Sequence, residues 1–321
     1  MKILMIGHGM VGHKFIESVL EQAGDDIELT ILAEEPHLAY DRVHLTEYFS
    51  GKSVKDLSLC RSDFADAYGI DLRLNTKAVE IDQLHKTVTT SQGDVLSFDK
   101  LILATGSYAF VPPIPGNDRQ NCFVYRTIED LDAIRAASLN AKTGVVIGGG
   151  LLGLEAAKAL RDLNLETHVV EFAPRLMAVQ IDDLGGRVLR SKIEDLGVKV
   201  HTQKATSSIE DGDSTQHVMK FGDGSVLETD IILFSAGIRP RDEVARQSGL
   251  LIGERGGIII NDYCQTSHPD IYAIGECALW DNKIYGLVAP GYDMARIAAK
   301  HVLGQESHAF AGADMSTKLK L

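Results

Sequence analysis

The sequence predicts an α/β fold with two βαβ domains, the second inserted into the first, and three observations lead to this prediction. The apolar strand Lys2–Ile6 runs into a Gly-x-Gly-x-x-Gly loop at Gly7–Gly12. A second apolar strand runs into a loop of the same pattern at Gly148–Gly153. Each loop is followed by a helical repeat of apolar residues and then by another apolar strand. One such loop is a weak signal, whereas two in a chain of 321 residues indicate two dinucleotides and electron transfer between them.

The glycines of each loop have separate tasks. The first lets the chain turn sharply out of the strand, the second lets the backbone approach a pyrophosphate, and the third lets the helix pack closely on the strand. The helix start then offers unpaired N–H groups and the positive end of its dipole to the phosphates. Both regions are therefore predicted to be Rossmann-like dinucleotide-binding domains.

An acidic residue follows each loop where a ribose contact is expected. The helices and strands after the loops are predicted at Val11–Gln22 and Ile27–Leu32, and at Leu152–Leu163 and Thr167–Glu171. The first pair leads to Glu34 and Glu35, and the second ends in Glu171. An acid at Glu171 favours a free ribose 2′-hydroxyl, and hence NADH, because it would repel a 2′-phosphate. Arg175 lies nearby and keeps NADPH open as an alternative.

Composition excludes several classes of function. The net charge of −13 opposes nucleic acid and anionic membranes as partners, and no stretch is long and apolar enough to span a bilayer. The start of the chain runs directly into a strand, so no signal peptide is expected and the cytoplasm is the predicted location. The four cysteines show no close pairing, and the histidines form no H-E-x-x-H motif, so no redox disulfide and no metal are expected.

The order of elements predicts a discontinuous first domain. The proline-rich stretch Pro112–Gly116 marks a domain crossing, because it continues neither helix nor strand. Two closing strands end in small residues, at Leu101–Gly106 and Asp230–Gly237, which indicates an internal duplication. The pattern is completed by a hairpin region near residues 72–98, strands at Gly257–Asn261 and Asp270–Glu276, a helix near Leu184–Leu196 and a helix at Tyr292–Leu303. The predicted domains are residues 1–118 with 243–321, and residues 119–242.

These motifs resemble the two-dinucleotide flavoproteins of glutathione-reductase-like fold, which include ferredoxin reductases, rubredoxin reductases and NADH oxidases. The matched features are the two loops, Ala104–Gly106, Glu155 and the late strand ending at Gly275. The resemblance implies FAD on the first loop and NAD(P)H on the second. The implied FAD residues are Gly7, Gly9, Met10, Gly12, Glu34, Glu35, Arg42, Thr105, Gly106, Arg126, Gly275, Glu276 and Val288. The implied NAD residues are Gly148, Gly150, Leu152, Gly153, Glu155, Glu171, Ala236 and Gly237.

A closer resemblance is to the N-terminal part of the large subunit of assimilatory-type NAD(P)H-dependent nitrite reductases. It rests on Ala39–Leu45, Cys122–Leu131, Gly150–Ala156, Leu287–Tyr292 and the final run Gly312–Leu321. That family reduces nitrite at a sirohaem joined to a [4Fe–4S] cluster, which needs clustered cysteines that this chain lacks. The resemblance therefore implies an electron-input module without the C-terminal interface domain and without the sirohaem and iron–sulfur domains. It is not expected to reduce nitrite alone.

This chain departs from the family at two positions, and the first departure concerns the predicted catalytic residues Glu155 and Arg42. Ferredoxin reductases carry a lysine where this chain has Glu47, so Arg42 or Lys14 would have to supply that positive charge. The usual late aspartate is Glu276 here, which either holds a hydroxyl of FAD or is an exposed loop acid.

The expected reaction is hydride transfer from NADH to the flavin, which needs orientation rather than acid–base catalysis. Glu155 either orients the nicotinamide carboxamide or is a helix-start acid favoured by the dipole. Arg42 and Arg126 either stabilise a reduced, anionic flavin or form ordinary ion pairs. Ala236 and Gly237 lack bulk and are expected near the nicotinamide.

Three alternatives stay open at this stage. The first is a stand-alone reductase that passes electrons to a rubredoxin or ferredoxin. The second is an NADH oxidase, which is disfavoured because the nearest candidate cysteine, Cys60, lies about 25 positions beyond Glu35. The third is a sensor that binds FAD without turnover. The electron acceptor is thus either the sirohaem and iron–sulfur domains or a small carrier protein, and a homodimer is kept open.

Overall fold

The computed structural model describes residues 1–22 and 26–319. The last two residues of the run Gly312–Leu321 lie outside this described part. The helices are α1 (Met10–Leu20), α2 (Val54–Leu57), α3 (Phe64–Tyr68), α4 (Ile128–Ser138), α5 (Leu151–Asp162), α6 (Asp183–Asp195), α7 (Glu243–Gln247) and α8 (Val288–Val302). Short 3₁₀ turns lie at Arg42–Tyr48 and Gly275–Cys277.

The strands are mostly short. They are β1 (Lys2–Ile6), β2 (Glu28–Leu32), β3 (Asp71–Arg73), β4 (Ala78–Asp82), β5 (Thr87–Thr90), β6 (Val95–Ser97), β7 (Lys100–Leu103), β8 (Ser107–Ala109), β9 (Cys122–Val124), β10 (Thr143–Ile147), β11 (Glu166–Val170), β12 (Val198–His201), β13 (Thr206–Asp211), β14 (His217–Phe221), β15 (Val226–Thr229), β16 (Ile231–Phe234), β17 (Ile238–Pro240), β18 (Ile258–Ile259), β19 (Ile271–Ala273) and β20 (Ala278–Leu279).

The chain divides into two compact units. Unit 1 comprises Met1–Asp41, Leu57–Tyr108 and Arg239–Ser316, and unit 2 comprises Arg42–Asp56, Ala109–Ile238 and Thr317–Leu321. Unit 1 is therefore discontinuous in sequence. The segment Arg42–Asp56, which the sequence suggested as part of the first domain, groups with unit 2.

Unit 1 is built on a five-stranded parallel sheet in the order β19-β7-β1-β2-β3. Strand β1 lies in its middle, and its residues Leu4 and Met5 are almost fully buried. Helix α1 buries Phe15, Ile16 and Val19 on one face, as its apolar spacing predicts. A three-stranded antiparallel sheet, β4-β5-β6, and the small parallel pair β18-β20 also lie in this unit.

Unit 2 repeats this plan with the sheet order β12-β11-β10-β16-β9, again all parallel. In both units the strand before the glycine loop lies between the next strand and the closing strand. The strand next to the closing strand differs between the units. It is β19, from late in the chain, in unit 1, and β9, which precedes the glycine loop, in unit 2. An antiparallel sheet, β13-β14-β15, packs Ile209, Met219 and Phe221 into the core of unit 2. The predicted α/β fold with parallel sheets is thus confirmed.

Several sequence predictions need correction in detail. The region 72–98 is not one hairpin, because β3 joins the parallel sheet beside β2 and only β4–β6 are antiparallel. Helix α8 begins at Val288 rather than Tyr292. The early start includes Pro290, which is tolerated because N–H groups in the first turn have no partner within the helix. Of the strand predicted at Gly257–Asn261, only Ile258 and Ile259 pair as a strand. The strand predicted at Asp270–Glu276 is limited to Ile271–Ala273, because a 3₁₀ turn begins at Gly275.

Helix α4 is an element that the sequence analysis missed. A capping box begins it, in which the Thr127 hydroxyl accepts a bond from the Asp130 N–H and the Asp130 carboxylate accepts one from the Thr127 N–H. This Thr-x-x-acid pattern before an apolar repeat is a sequence signal that predicts a helix start.

Candidate functional site

The first glycine loop has the geometry that its pattern predicts. Gly7 has φ +103°, and a side chain there would fall on the backbone carbonyl of Ala104. A Cβ on Gly12 would lie 2.6 Å from the Gly7 carbonyl oxygen. A Cβ on Gly9, by contrast, would meet nothing within 4 Å, and Gly9 begins α1 without a side-chain cap. The loop therefore leaves open space in front of unpaired helix N–H groups, which fits the pyrophosphate of a dinucleotide.

The second glycine loop has the same construction. Gly148 has φ +118°, and a side chain there would fall on the Ser235 carbonyl, while one on Gly153 would fall on the Gly148 carbonyl. Gly150 again has nothing within 4 Å of an added Cβ and begins α5 without a side-chain cap. Both loops follow the central strand of a parallel sheet, at the carboxyl edge where α/β proteins bind ligands. The residues of both loops fit a dinucleotide.

The acidic residue after β11 is hydrogen-bonded to the second loop. The Glu171 carboxylate accepts one bond from the Gly149 N–H at 2.6 Å and another from the Ala173 N–H at 2.7 Å. The acid is therefore held beside the loop that would carry the pyrophosphate. This is the placement that a ribose-binding acid requires.

The two acids after β2 have different partners. The Glu34 side chain is half exposed and forms ion pairs with Arg241 at 2.8 Å and Lys77 at 3.4 Å. The Glu35 carboxylate accepts a hydrogen bond from the Tyr40 hydroxyl at 2.7 Å. Both predicted residues therefore lie at the carboxyl edge of the sheet of unit 1, and each already has a protein partner.

The other predicted residues of unit 1 lie after β7, after β19 and at the start of α8. The Thr105 hydroxyl donates to the Arg241 carbonyl at 2.6 Å, and the Ser107 hydroxyl donates to Glu276 at 2.6 Å. Glu276 is thus not simply an exposed loop acid. Gly275 has φ +77°, and its Cα faces Val11 of α1 closely enough that a Cβ would contact it. The structure therefore brings Gly106, Gly275 and Glu276 to the edge of the sheet that also carries Gly7.

A pocket in unit 2 brings together both predicted catalytic residues. It is lined by Arg42, Leu45, Thr46, Tyr125, Arg126, Leu152 and Glu155. The Arg42 guanidinium donates to the Arg126 carbonyl at 2.9 Å, and Glu155 on α5 is only 8% exposed. Burial raises the pKa of Tyr125, whose hydroxyl bonds Thr46 at 3.1 Å, so this phenol stays neutral. Positive charge and a buried acid thus meet beside the second loop.

The two candidates for the positive charge of the family's lysine lie in different units. The sequence left Arg42 and Lys14 open as its replacement. Arg42 lines the pocket with Glu155, whereas Lys14 pairs with Glu17 at 3.0 Å in unit 1. Glu47 forms an ion pair with Lys52.

The closing strand β16 delivers Ala236 and Gly237 to the carboxyl edge of the sheet of unit 2. Gly237 has φ +109°, and an added Cβ would meet nothing within 4 Å. Its carbonyl accepts a bond from the Phe110 N–H at 2.8 Å. Gly237, which the sequence singled out for its small size, therefore has open space next to its Cα.

A cavity of about 280 Å³ lies beside the segment after β11, and it brings Arg187 and Arg190, which the sequence did not indicate, close to Arg175. Its lining comprises Pro174, Arg175, Leu176, Asp183, Gly186, Arg187, Arg190 and Thr202. Arg175 is held by the Ile181 and Ala178 carbonyls and by Asp183 at 2.7 Å. The Arg175 guanidinium, which the sequence suggested as a partner for a 2′-phosphate, is therefore already hydrogen-bonded within the protein.

The cysteines do not form a reactive pair. All four are free thiols, and burial is the largest cause that raises the pKa of each, to about 11 for Cys122. Raised thiol pKa values oppose formation of the nucleophilic thiolate. Within the described ranges, no helix combines the length and the apolar character needed to cross a membrane.

Known proteins resemble this chain over most of its length. The chain is 55% identical to the nitrite reductase (NADH) large subunit of Escherichia coli strain K12, over 100% of this chain and 38% of that protein. It is 37% identical to the assimilatory nitrate reductase electron transfer subunit of Bacillus subtilis strain 168, over 100% of this chain and 41% of that protein. It therefore spans less than half the length of these curated relatives.

Solved structures agree with the fold. The ferredoxin reductase for the CYP199A2 system from Rhodopseudomonas palustris has a TM-score of 0.90 and 28% identity, covering 97% of this chain and 78% of that one. The model of the family described as pyridine nucleotide-disulphide oxidoreductase matches residues 1–301. Because that match includes both glycine loops and nearly the whole described chain, the protein belongs to the pyridine nucleotide-disulphide oxidoreductase family.

Proposed function

We propose that this chain is an FAD-dependent NADH oxidoreductase that serves as the electron-input part of an assimilatory-type nitrite reductase large subunit. FAD is assigned to the loop Gly7–Gly12, and NADH to the loop Gly148–Gly153. When bound, FAD supplies the flavin that accepts a hydride and releases electrons onward. The chain's own task is to hold and orient the two nucleotides.

One observation carries this proposal. Gly9 and Gly150 occupy equivalent places, each at the uncapped start of a helix after a central parallel strand, and each with open space where a Cβ would be. The first and third glycines of each loop, Gly7 and Gly12 and likewise Gly148 and Gly153, are packed against backbone carbonyl groups. A duplicated opening of this kind supports two dinucleotide sites rather than two structural turns.

The NADH preference is supported by the second loop. Glu171 is held beside Gly149 in the position of a ribose acceptor, and Arg175 is engaged by Asp183 and two carbonyls. NADH is favoured over NADPH because Glu171 can accept a hydrogen bond from a free 2′-hydroxyl, whereas the Arg175 guanidinium is already bonded to protein groups.

The pocket around Glu155 supports a role in orientation. Glu155 is assigned to the nicotinamide carboxamide, and Arg42 and Arg126 supply positive charge near it. Such a charge arrangement favours an anionic, reduced ring system. Ala236 and Gly237 leave room for the nicotinamide after β16.

The assignment to nitrite reduction rests on the relatives. The E. coli protein of that name is 55% identical to this chain throughout its length. The four cysteines of this chain are dispersed between the two units, so we place the nitrite-reducing centre outside these residues. Free thiols such as these four persist in reducing compartments, which supports a cytoplasmic location.

Alanine substitutions at Gly9 and Gly150 test the two assignments separately. Both glycines have backbone angles that alanine adopts, so the fold is expected to be unaffected. Gly9→Ala should lower the FAD content of the purified protein. Gly150→Ala should keep FAD and raise the KM for NADH in an anaerobic flavin-reduction assay. Full FAD content in Gly9→Ala, or no flavin reduction by NADH in the wild type, would contradict the proposal.

A second candidate is a stand-alone reductase of a small iron–sulfur carrier. The R. palustris ferredoxin reductase supports it, because its fold matches 97% of this chain. Reduction of purified rubredoxin or ferredoxin by NADH at a rate equal to that with ferricyanide would favour this alternative. A slow rate with both carriers would favour the nitrite reductase assignment.

A further inference from the structure

Three potential metal ligands meet in unit 1, from parts of the chain that are distant in sequence. His8 lies within the first glycine loop, His13 lies on α1, and Cys60 lies in the segment before α3. Their ligand atoms all lie within 4.8 Å of one another. The two histidine rings stand edge to face, with centroids 5.6 Å apart.

Three of the four histidine ring nitrogens in this cluster are buried and have no hydrogen-bond partner among the described residues. His8 is 8% exposed and His13 is 4% exposed. Both ring nitrogens of His8, and Nδ1 of His13, lack a partner among the described residues. Buried polar groups in proteins are nearly always hydrogen-bonded, so three such atoms in one place need another explanation.

We propose that His8, His13 and Cys60 bind one Zn²⁺ ion. Two imidazoles and a thiolate are preferred zinc ligands, and three protein ligands leave a fourth position for water. Bond lengths of 2.0–2.3 Å place tetrahedral ligand atoms roughly 3.5 Å apart, so the cluster must contract by only about 1 Å. Binding converts the Cys60 thiol to a zinc thiolate and releases its proton to solvent. Cys60 is partly exposed, which provides the path for the ion and the water.

The carboxylate of Glu17 lies next to His13, one of the proposed zinc ligands. Glu17 Oε1 lies 3.7 Å from His13 Nε2, which leaves Nδ1 of the same ring for the metal. Metal-bound histidines commonly present their second nitrogen to a carboxylate, which fixes the ring orientation. Glu17 is therefore a positioning residue. The zinc would join the first glycine loop to the segment that contains Cys60 and thereby stabilise unit 1.

A zinc ion at this cluster would overturn the expectation that the protein binds no metal. That expectation rested on the absence of close cysteine pairs and of an H-E-x-x-H motif. The fold supplies the proximity instead, because β1 and α1 place His8 and His13 against the segment that carries Cys60.

Zinc binding by the purified full chain tests the proposal. After treatment with a chelator, the wild type should bind one Zn²⁺ per chain in competition with a chromophoric chelator. Glu17→Gln should weaken the affinity by about 10–100-fold, the usual effect of losing a carboxylate behind a ligand. Cys60→Ser should weaken it more. Cys122→Ser is the matched control, since Cys122 is also a partly exposed free thiol but lies in unit 2, and it should leave the affinity unchanged.

Cobalt gives an independent readout that does not depend on the variants folding. Co²⁺ bound to the wild type should show a thiolate charge-transfer band and tetrahedral d–d bands in the difference spectrum. Added Zn²⁺ should remove both. A cobalt spectrum without a thiolate band, or an equal zinc affinity in Cys60→Ser and the wild type, would overturn the proposal.

Discussion

The Glu171 carboxylate accepts a hydrogen bond from the backbone N–H of Gly149 at 2.6 Å, and this bond joins two functions that are separate in sequence. Gly149 lies in the loop proposed to hold a pyrophosphate, and Glu171 is the proposed ribose acceptor. A second bond, from the Ala173 N–H, fixes the other carboxylate oxygen. The pyrophosphate loop and the ribose acceptor of the proposed NADH site are therefore held in fixed positions relative to each other.

Replacing Glu171 should weaken NADH binding selectively. Glu171→Gln keeps the shape but loses an ionised acceptor, and hydrogen bonds to charged groups contribute about 1.5–3 kcal/mol. We expect the KM for NADH in ferricyanide reduction to rise roughly tenfold to a hundredfold. Glu166→Gln is the control, because Glu166 opens the same strand at its opposite end. An unchanged KM in Glu171→Gln would remove the ribose role.

The glycines of the first loop should differ in their effect on folding. A Cβ on Gly12 would lie 2.6 Å from the Gly7 carbonyl oxygen, whereas one on Gly9 meets nothing within 4 Å. Gly12→Ala should therefore destabilise the flavin-free protein by about 1–3 kcal/mol, as overpacking does. Gly9→Ala should stay within about 0.5 kcal/mol of the wild type. Urea unfolding followed by circular dichroism measures both, and equal stabilities would contradict the packing argument.

Sequence reasoning succeeded where backbone geometry restricts the residue type. Gly7 and Gly148 have positive φ and press against a neighbouring carbonyl, so only glycine fits, and the pattern marks both loops. The position of Glu171 beside the second loop follows from the same reasoning, because α/β proteins bind ligands where parallel strands end, whereas its ribose contact stays a prediction.

The sequence could not predict which distant segments come together. The grouping of Arg42–Asp56 with unit 2 depends on tertiary packing, which no local pattern records. The same holds for His8, His13 and Cys60, whose spacing in sequence matches no metal motif. Helix α4 differs in this respect, because the capping box of Thr127 and Asp130 is a local sequence pattern that predicts its start.

Removing the charge of Glu155 should slow hydride transfer without loss of FAD. Glu155 is buried in a pocket that Arg42 and Arg126 also line. Without its carboxylate, the nicotinamide is expected to bind in a displaced position. A displacement of about 1 Å in a reacting group can cost roughly a hundredfold in rate. We therefore expect Glu155→Gln to lower the rate of anaerobic flavin reduction by NADH by about 10–100-fold. Stopped-flow absorbance measures this rate.

The control for this prediction lies on the same helix. Asp162 is at the other end of α5 and pairs with Lys158 at 2.6 Å, so Asp162→Asn should leave the reduction rate unchanged. Equal rates in Glu155→Gln and the wild type would assign Glu155 to helix stability alone.

The pair His168 and His201 should make unit 2 sensitive to acid. His168 Nδ1 lies 3.0 Å from His201 Nε2, and the rings stack with centroids 5.2 Å apart. Burial is the largest cause that lowers the pKa of both residues below the ordinary 6.5, with the neighbouring positive charge of Lys199 adding to it. Other charges facing the pair are Glu166, Arg190 and Lys204.

The sign of the pH effect follows from these directions. As the pH falls below 6.5, unfolded imidazoles take up protons that the folded pair resists, so the unfolded state binds more protons and stability decreases. Above 6.5 both states are neutral at these rings and the effect disappears. His201→Phe keeps the stacked ring without the titration, and its urea midpoint should fall less between neutral and acidic pH than that of the wild type. The exposed His308→Gln should follow the wild type, and an equally steep fall in His201→Phe would show that the pair is not responsible.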